Sequence, residues 1–158
     1  LVIFLANDQI SVAEKVLLHS PVLNDADLTC IITSQGRDHW RAISRRDGLS
    51  PIVADRLVET KDAGTILNLI DNQRVNLQQG TMKKLVKAAI RSEELQAPLL
   101  RRPEVDPATA TNLYLIVSHA LRNSISERFQ ITPQLLEESL EKLVQELSDE
   151  ARGIRETT

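Results

Sequence analysis

HSPVLNDADL, residues 19–28, reads as the joint between two helices, and RRDGLSPIVADRL, residues 45–57, repeats it. In each, an aliphatic residue precedes an Asn or Ser whose side chain can accept a hydrogen bond from the free N–H groups of a helix's first turn. Anchored on Leu23 with Asn24, the pattern recurs at Leu49 with Ser50, Val75 with Asn76 and Val105 with Asp106, at intervals of 26, 26 and 30 residues. Pro51 and Pro107 follow two of the caps directly, at the first helical position, where a missing N–H costs nothing. Gln79 stands three residues after Asn76, as a capping box requires, but Gly80 weakens that first turn, so the third boundary is the least sharply written.

Upstream of each anchor an apolar pair ends a short helix: Leu17-Leu18, Ile43-Ser44 with its second member polar, Leu69-Ile70 and Leu99-Leu100. Downstream, longer helices carry Leu28, Ile31 and Ile32; Val53, Ala54, Leu57 and Val58; Met82, Leu85, Val86 and Ala89; and Leu113, Ile116, Val117, Ala120 and Leu121. Spacings of three and four give each helix a single buried stripe. Hairpins this short cannot bury such stripes alone, and stacking them in a row gives one continuous core. The expected fold is all-α, a right-handed α-solenoid of HEAT-like helical hairpins with a C-terminal capping helix.

Composition agrees with this class. Few aromatic or turn-forming residues occur, and Leu, Ala, Ile, Glu, Lys and Arg dominate, as helices prefer. At 158 residues the chain can bury a core without a metal or disulfide staple. Cys30 is the only cysteine, an economy ordinary in a reducing compartment, and the expected location is cytoplasmic. The longest apolar run, Leu1 to Ala6, is far shorter than the roughly 18 to 20 residues that span a bilayer. The formal charge of −3 offers no whole-domain attraction to nucleic acid, so any charge argument is local.

Residues 1–131 read as the repeat domain. Ser11 to Glu14, SVAE, reads as a capping box that starts the first short helix. The fourth long helix is expected to run from Pro107 through Leu121 toward Ile125 and Phe129, until QITPQ interrupts it. Residues 132–158 then form an acidic amphipathic helix with a frayed tail, and this segment contains seven acidic and three basic side chains. Leu136, Leu140, Leu143 and Leu147 follow coiled-coil spacing over two heptads. This helix is expected to cap the repeats, with a homodimer through it as the alternative.

No glycine-rich phosphate loop, nucleophile elbow, paired-histidine zinc motif or calcium loop occurs. His19, His39 and His119 are scattered over different units, and Cys30 sits on the shoulder of an apolar stripe as a small core residue. The expectation is a protein that is not an enzyme and takes no cofactor or metal. Superposing the repeats aligns His19-Ser20, Arg45-Arg46, Asp71-Asn72 and Arg101-Arg102 at the ends of the short helices. Cations there complement the helix dipole, and they also form a polar rim. The richest patch is RDHWRAISRR, residues 37–46: Arg37, Arg41 and Arg45 share one face beside Trp40. Arginine next to an aromatic can grip a carboxylate, a phosphate or a protein partner, and it is equally the ordinary exterior of an amphipathic helix.

VAEKVLLHSPVLNDADL, RRDGLSPIVADRLVETKD and LQAPLLRRPEVD resemble an uncharacterised alphaproteobacterial domain family of unknown function with HEAT-like helical repeats, over about residues 10–129. The resemblance implies a bacterial, cytoplasmic α-solenoid and carries no catalytic residue. The expected function is a non-catalytic protein-protein interaction or scaffold module, with Arg37, Trp40, Arg41, Arg45, Arg46, Arg101 and Arg102 as binding residues. A nucleic-acid binder is the alternative, for which Arg41, Arg45, Arg101 and Arg102 would converge on one concave surface. A small-ligand sensor would need a closed pocket beside the arginines.

Overall fold

The computed structural model describes the backbone of residues 1–117 and 119–156; the side chains of 118–121, 123, 124, 147, 151 and 154–156 lie outside the description. The described residues are helical and contain no strand. No helix among them is long and apolar enough to cross a membrane. The chain divides into two compact units, Leu1–Glu104 and Val105–Thr158.

The first unit contains α1 (Val2–Ala6), α2 (Ile10–His19), α3 (Asp25–Ser34), α4 (Arg37–Ser44), α5 (Pro51–Glu59), α6 (Ala63–Asp71), α7 (Gln79–Arg91), a 3-10 turn (Glu93–Leu95) and α8 (Gln96–Leu100). Two ranks run through it. In one, α2 neighbours α4, α4 neighbours α6, and α6 neighbours the 3-10 turn and α8; in the other, α3 neighbours α5 and α5 neighbours α7. The first members of the repeated pairs lie in the core: Leu17, Ile43, Leu69 and Leu99 are each 0% exposed. The anchors Leu23, Leu49, Val75 and Val105 are all buried as well. Before Leu49 the chain turns through Gly48 at φ 66°, a left-handed conformation that a residue without Cβ adopts at little cost.

Local capping follows the sequence at three of four joints. Asn24 and Asp27 form a reciprocal capping box at α3. Ser50 accepts from the Val53 N–H ahead of α5, and in the second unit Asp106 accepts from the Thr109 N–H. The third joint differs. α7 begins at Gln79, with Gln78 in the cap position and no side-chain cap, so Asn76 is not its N-cap. Leu77 is buried there, and its N–H donates 3.1 Å to Glu104 Oε1, which holds the segment extended past Asn76.

Two further expectations need correction. Ser11 does not cap α2: the helix starts at Ile10 behind Gln9, whose N–H donates to Asp8 Oδ1 at 2.7 Å, so Ser11 and Glu14 lie inside it. Cys30 is exposed, because the buried stripe of α3 is confined to Leu28, Ile31 and Ile32.

The second unit contains α9 (Pro107–Ile116), α10 (His119–Arg128) and α11 (Pro133–Glu156), with α9 neighbouring both others. The expected continuous fourth helix is broken at Val117, which is extended. The β-branched pair Ile116-Val117 favours helix weakly. Arg122 Nε donates 3.1 Å to the Tyr114 carbonyl, stabilising the chain end that the break exposes. Of the residues expected to continue that stripe, Ile125 is buried, and the Ala120 and Leu121 side chains lie outside the described residues. The domain boundary read from sequence, at 131/132, falls within this unit, between α10 and α11. On α11, Ser139 is buried and Leu136 and Leu143 are half-buried, while Leu140 and Val144 are 52% and 56% exposed.

Candidate interaction face on α4

The exposed face of α4 is built on Asp62. This residue caps α6, accepting from the Thr65 N–H at 3.0 Å and from Thr65 Oγ1 at 2.7 Å. The same carboxylate lies 2.9 Å from Arg37 Nε and 3.1 Å from Arg41 Nε. Its side chain is 8% exposed, whereas Arg37 is 66% and Arg41 41% exposed, so one buried acid anchors two surface guanidiniums. Burial disfavours the charged carboxylate, but hydrogen bonds from Thr65 and Arg41, with the Arg41 charge, outweigh it and hold Asp62 below the usual carboxylate range. Gly64 completes the seat. A Cβ there would stand 2.6 Å from Arg41 Nη2 and 2.8 Å from Arg41 Cζ, so only a residue without a side chain lets the guanidinium lie against the first turn of α6.

Arg45 continues the stripe. Its Nε donates 3.2 Å to the Arg41 carbonyl and its Nη2 lies 2.8 Å from Glu14 Oε1 on α2. Trp40 is half-buried and turns its Nε1–H to the Ile32 carbonyl at 2.8 Å, tying α4 to the end of α3. Its indole N–H is thus engaged within the fold.

The aligned column of polar residues separates into two roles. Its first members, His19, Arg45, Asp71 and Arg101, are exposed. Three of its second members, Arg46, Asn72 and Arg102, turn back onto the preceding joint, while Ser20 accepts the Val22 N–H at 3.4 Å. Arg46 donates to the Leu17 carbonyl at 2.8 Å and to the Ser20 carbonyl. Asn72 donates to the Ser44 and Arg46 carbonyls at 3.0 and 2.8 Å. Arg102 donates to the Ile70, Asn72 and Val75 carbonyls at 3.3, 3.0 and 2.6 Å, and its Nη2 lies 2.5 Å from Glu104. The Leu17, Ser44 and Ile70 carbonyls among them lie in the last turn of a short helix, where carbonyls lack an intrahelical donor. Arg102 is 1% exposed and so presents no guanidinium to solvent. For Arg46, burial lowers the pKa, opposed by the neighbouring Asp47 charge.

Of the seven residues singled out from sequence, Arg37, Arg41 and Arg45 share one exposed face; Trp40 is half-buried behind it; Arg46 and Arg102 hold repeats together; and Arg101 is exposed. Asp62, Gly64 and Glu104 were missed, and Asn72 was aligned in the column without a role. Asp62 was open to detection, because Asp62-Ala-Gly-Thr65 has the cap-to-N3 spacing of a helix start.

Helices tied from one joint to the next by side-chain-to-carbonyl contacts define the class of the described residues, which is all-α. The model of a family described as "Uncharacterised protein conserved in bacteria (DUF2336)" matches residues 12–158, and the chain belongs to that family. The match runs through α11, beyond the stretch that carried the resemblance in sequence. No curated protein and no solved structure matches the chain.

Proposed function

We propose that this chain is a non-catalytic, cytoplasmic interaction module, a right-handed HEAT-like solenoid in its repeat region, which binds another protein through the exposed face of α4. One observation carries the reading: Asp62 immobilises two surface guanidiniums that otherwise lose conformational entropy on binding. Arginine held in place beside an aromatic residue is typical of residues that dominate protein interfaces. The serial neighbours α2, α4, α6 and α3, α5, α7 support the solenoid reading. The exposed edge of α11 is the second candidate surface, for a homodimer.

The nucleic-acid alternative calls on Arg41, Arg45, Arg101 and Arg102 together, and the burial of Arg102 takes one of the four away. The test is affinity capture from a bacterial lysate with the wild-type chain and with Arg41→Glu/Arg45→Glu, after circular dichroism establishes equal helicity. Loss of a protein partner with the variant supports the reading. Identical partner sets defeat it, and capture of nucleic acid with steep salt dependence would favour the alternative.

A further inference from the structure

We propose that the α4 arginine face receives the acidic edge of α11 from a second copy of the chain. This rests on the reading of α4 as an interface and names its occupant.

The receiving face is lined by arginine and ordered. Arg37, Arg41 and Arg45 recur every four residues, one helical turn apart; Arg37 and Arg41 share the single carboxylate of Asp62, and Arg45 pairs with Glu14. Half-buried Leu67 stands 26 residues after Arg41, at the matching position of α6, which neighbours α4.

The opposing surface is on α11. Leu140 and Val144 are exposed apolar residues, and exposed Glu137 and Glu141 lie within about a quarter turn of them at 100° per residue. Glu137 and Glu141 are themselves one turn apart and match the Arg41 to Arg45 spacing. The helix as a whole, residues 133–156, has seven acidic and three basic side chains. Pairing α11 with α4 sets Glu137 and Glu141 against arginine and covers Leu140 and Val144. Because Asp62 and Gly64 already position Arg41, the contact orders fewer side chains than a loose arginine would.

The test is sedimentation velocity of the full chain over a wide concentration range at low and high salt. The wild-type chain is expected to self-associate, less so at high salt. Glu137→Arg/Glu141→Arg alone and Arg41→Glu/Arg45→Glu alone are each expected to be monomeric, and an equimolar mixture of the two is expected to associate again, since both of its cross-contacts are complementary. Gly64→Ala supplies a control without charge change: its Cβ displaces the Arg41 guanidinium while Ala favours helix α6, so association should weaken about tenfold with no loss of folding. A wild-type chain that stays monomeric at every concentration overturns the proposal, as does a mixture that fails to reassociate. A monomer that still captures another protein through Arg41 and Arg45 overturns the second-copy occupant and leaves the α4 interface standing.

Discussion

The guanidinium of Arg102 is 1% exposed and meets the Glu104 carboxylate, two residues along the chain, at 2.5 Å. Glu104 in turn accepts the Leu77 N–H at 3.1 Å, so the pair joins the end of the first unit to the segment that enters α7. Removing one member of a buried pair leaves the other charged and unpaired, which costs about 3–5 kcal/mol. Arg102→Met is expected to lose about that much in urea unfolding, and Arg102→Met/Glu104→Gln to recover part of it. Equal stability of Arg102→Met and wild type would show that the guanidinium contributes nothing net.

The same carboxylate predicts an acid dependence. Burial works to raise the Glu104 pKa, but the Arg102 hydrogen bonds, the Leu77 N–H and the Arg102 charge prevail and lower it. A carboxyl whose folded pKa lies below its unfolded value of about 4.5 contributes fully above that value, and the contribution disappears as pH falls through the folded pKa. Glu104→Gln should therefore be less stable than wild type at pH 7, with the gap closing below about pH 4.5. Denaturant midpoints measured at a series of pH values check this. A constant gap would rule out Glu104 as a source of the pH dependence.

What the sequence could disclose depended on how far apart the interacting residues lie. Asn24, Ser50 and Asp106 were legible as caps because a cap acts on an N–H three residues away. Asn76 misled because Leu77 is held by Glu104, 27 residues on, a relation no local pattern contains. The column ending the short helices was visible, but its division was not. Arg45 and Arg46 differ by one position, yet Arg45 faces solvent and Arg46 reaches the Leu17 carbonyl 29 residues earlier. Arg37, Arg41 and Arg45 were expected on one face and are found there; the acid that fixes the first two, Asp62, sits on another helix.

Gln78 occupies the cap position of α7 with φ −71° and ψ 161°, a backbone suited to capping, yet its side chain accepts no first-turn N–H. Asp or Asn at such a position contributes about 1 kcal/mol. Gln78→Asp is expected to raise stability by about that amount and to slow amide exchange in the first turn of α7. Asn24→Ala, which removes a formed capping box, should cost about the same. If Gln78→Asp leaves both measurements unchanged, Glu104, rather than the missing cap, limits the order of that helix start.

The contacts of Arg46 and Asn72 form consecutive rungs, because the residue that reaches back at one joint offers its own carbonyl at the next. Asn72 Nδ2 donates to the Ser44 and Arg46 carbonyls, and the Arg46 side chain is itself fixed on Leu17 and Ser20. Asn72→Ala leaves two carbonyls without their donor and is expected to cost about 1–3 kcal/mol. Arg46→Ala should cost a similar amount while retaining the carbonyl that Asn72 uses. Independent sites add to within about 0.3–0.5 kcal/mol, whereas rungs joined through one backbone segment should depart from additivity by more than that. In a double-mutant cycle the loss in Arg46→Ala/Asn72→Ala is therefore expected to be smaller than the sum of the single losses. Once the turn at Arg46 is released, Asn72 no longer faces a fixed acceptor, and removing it forfeits less. Strict additivity would mean that each joint holds by itself and that the column transmits no order along the repeats.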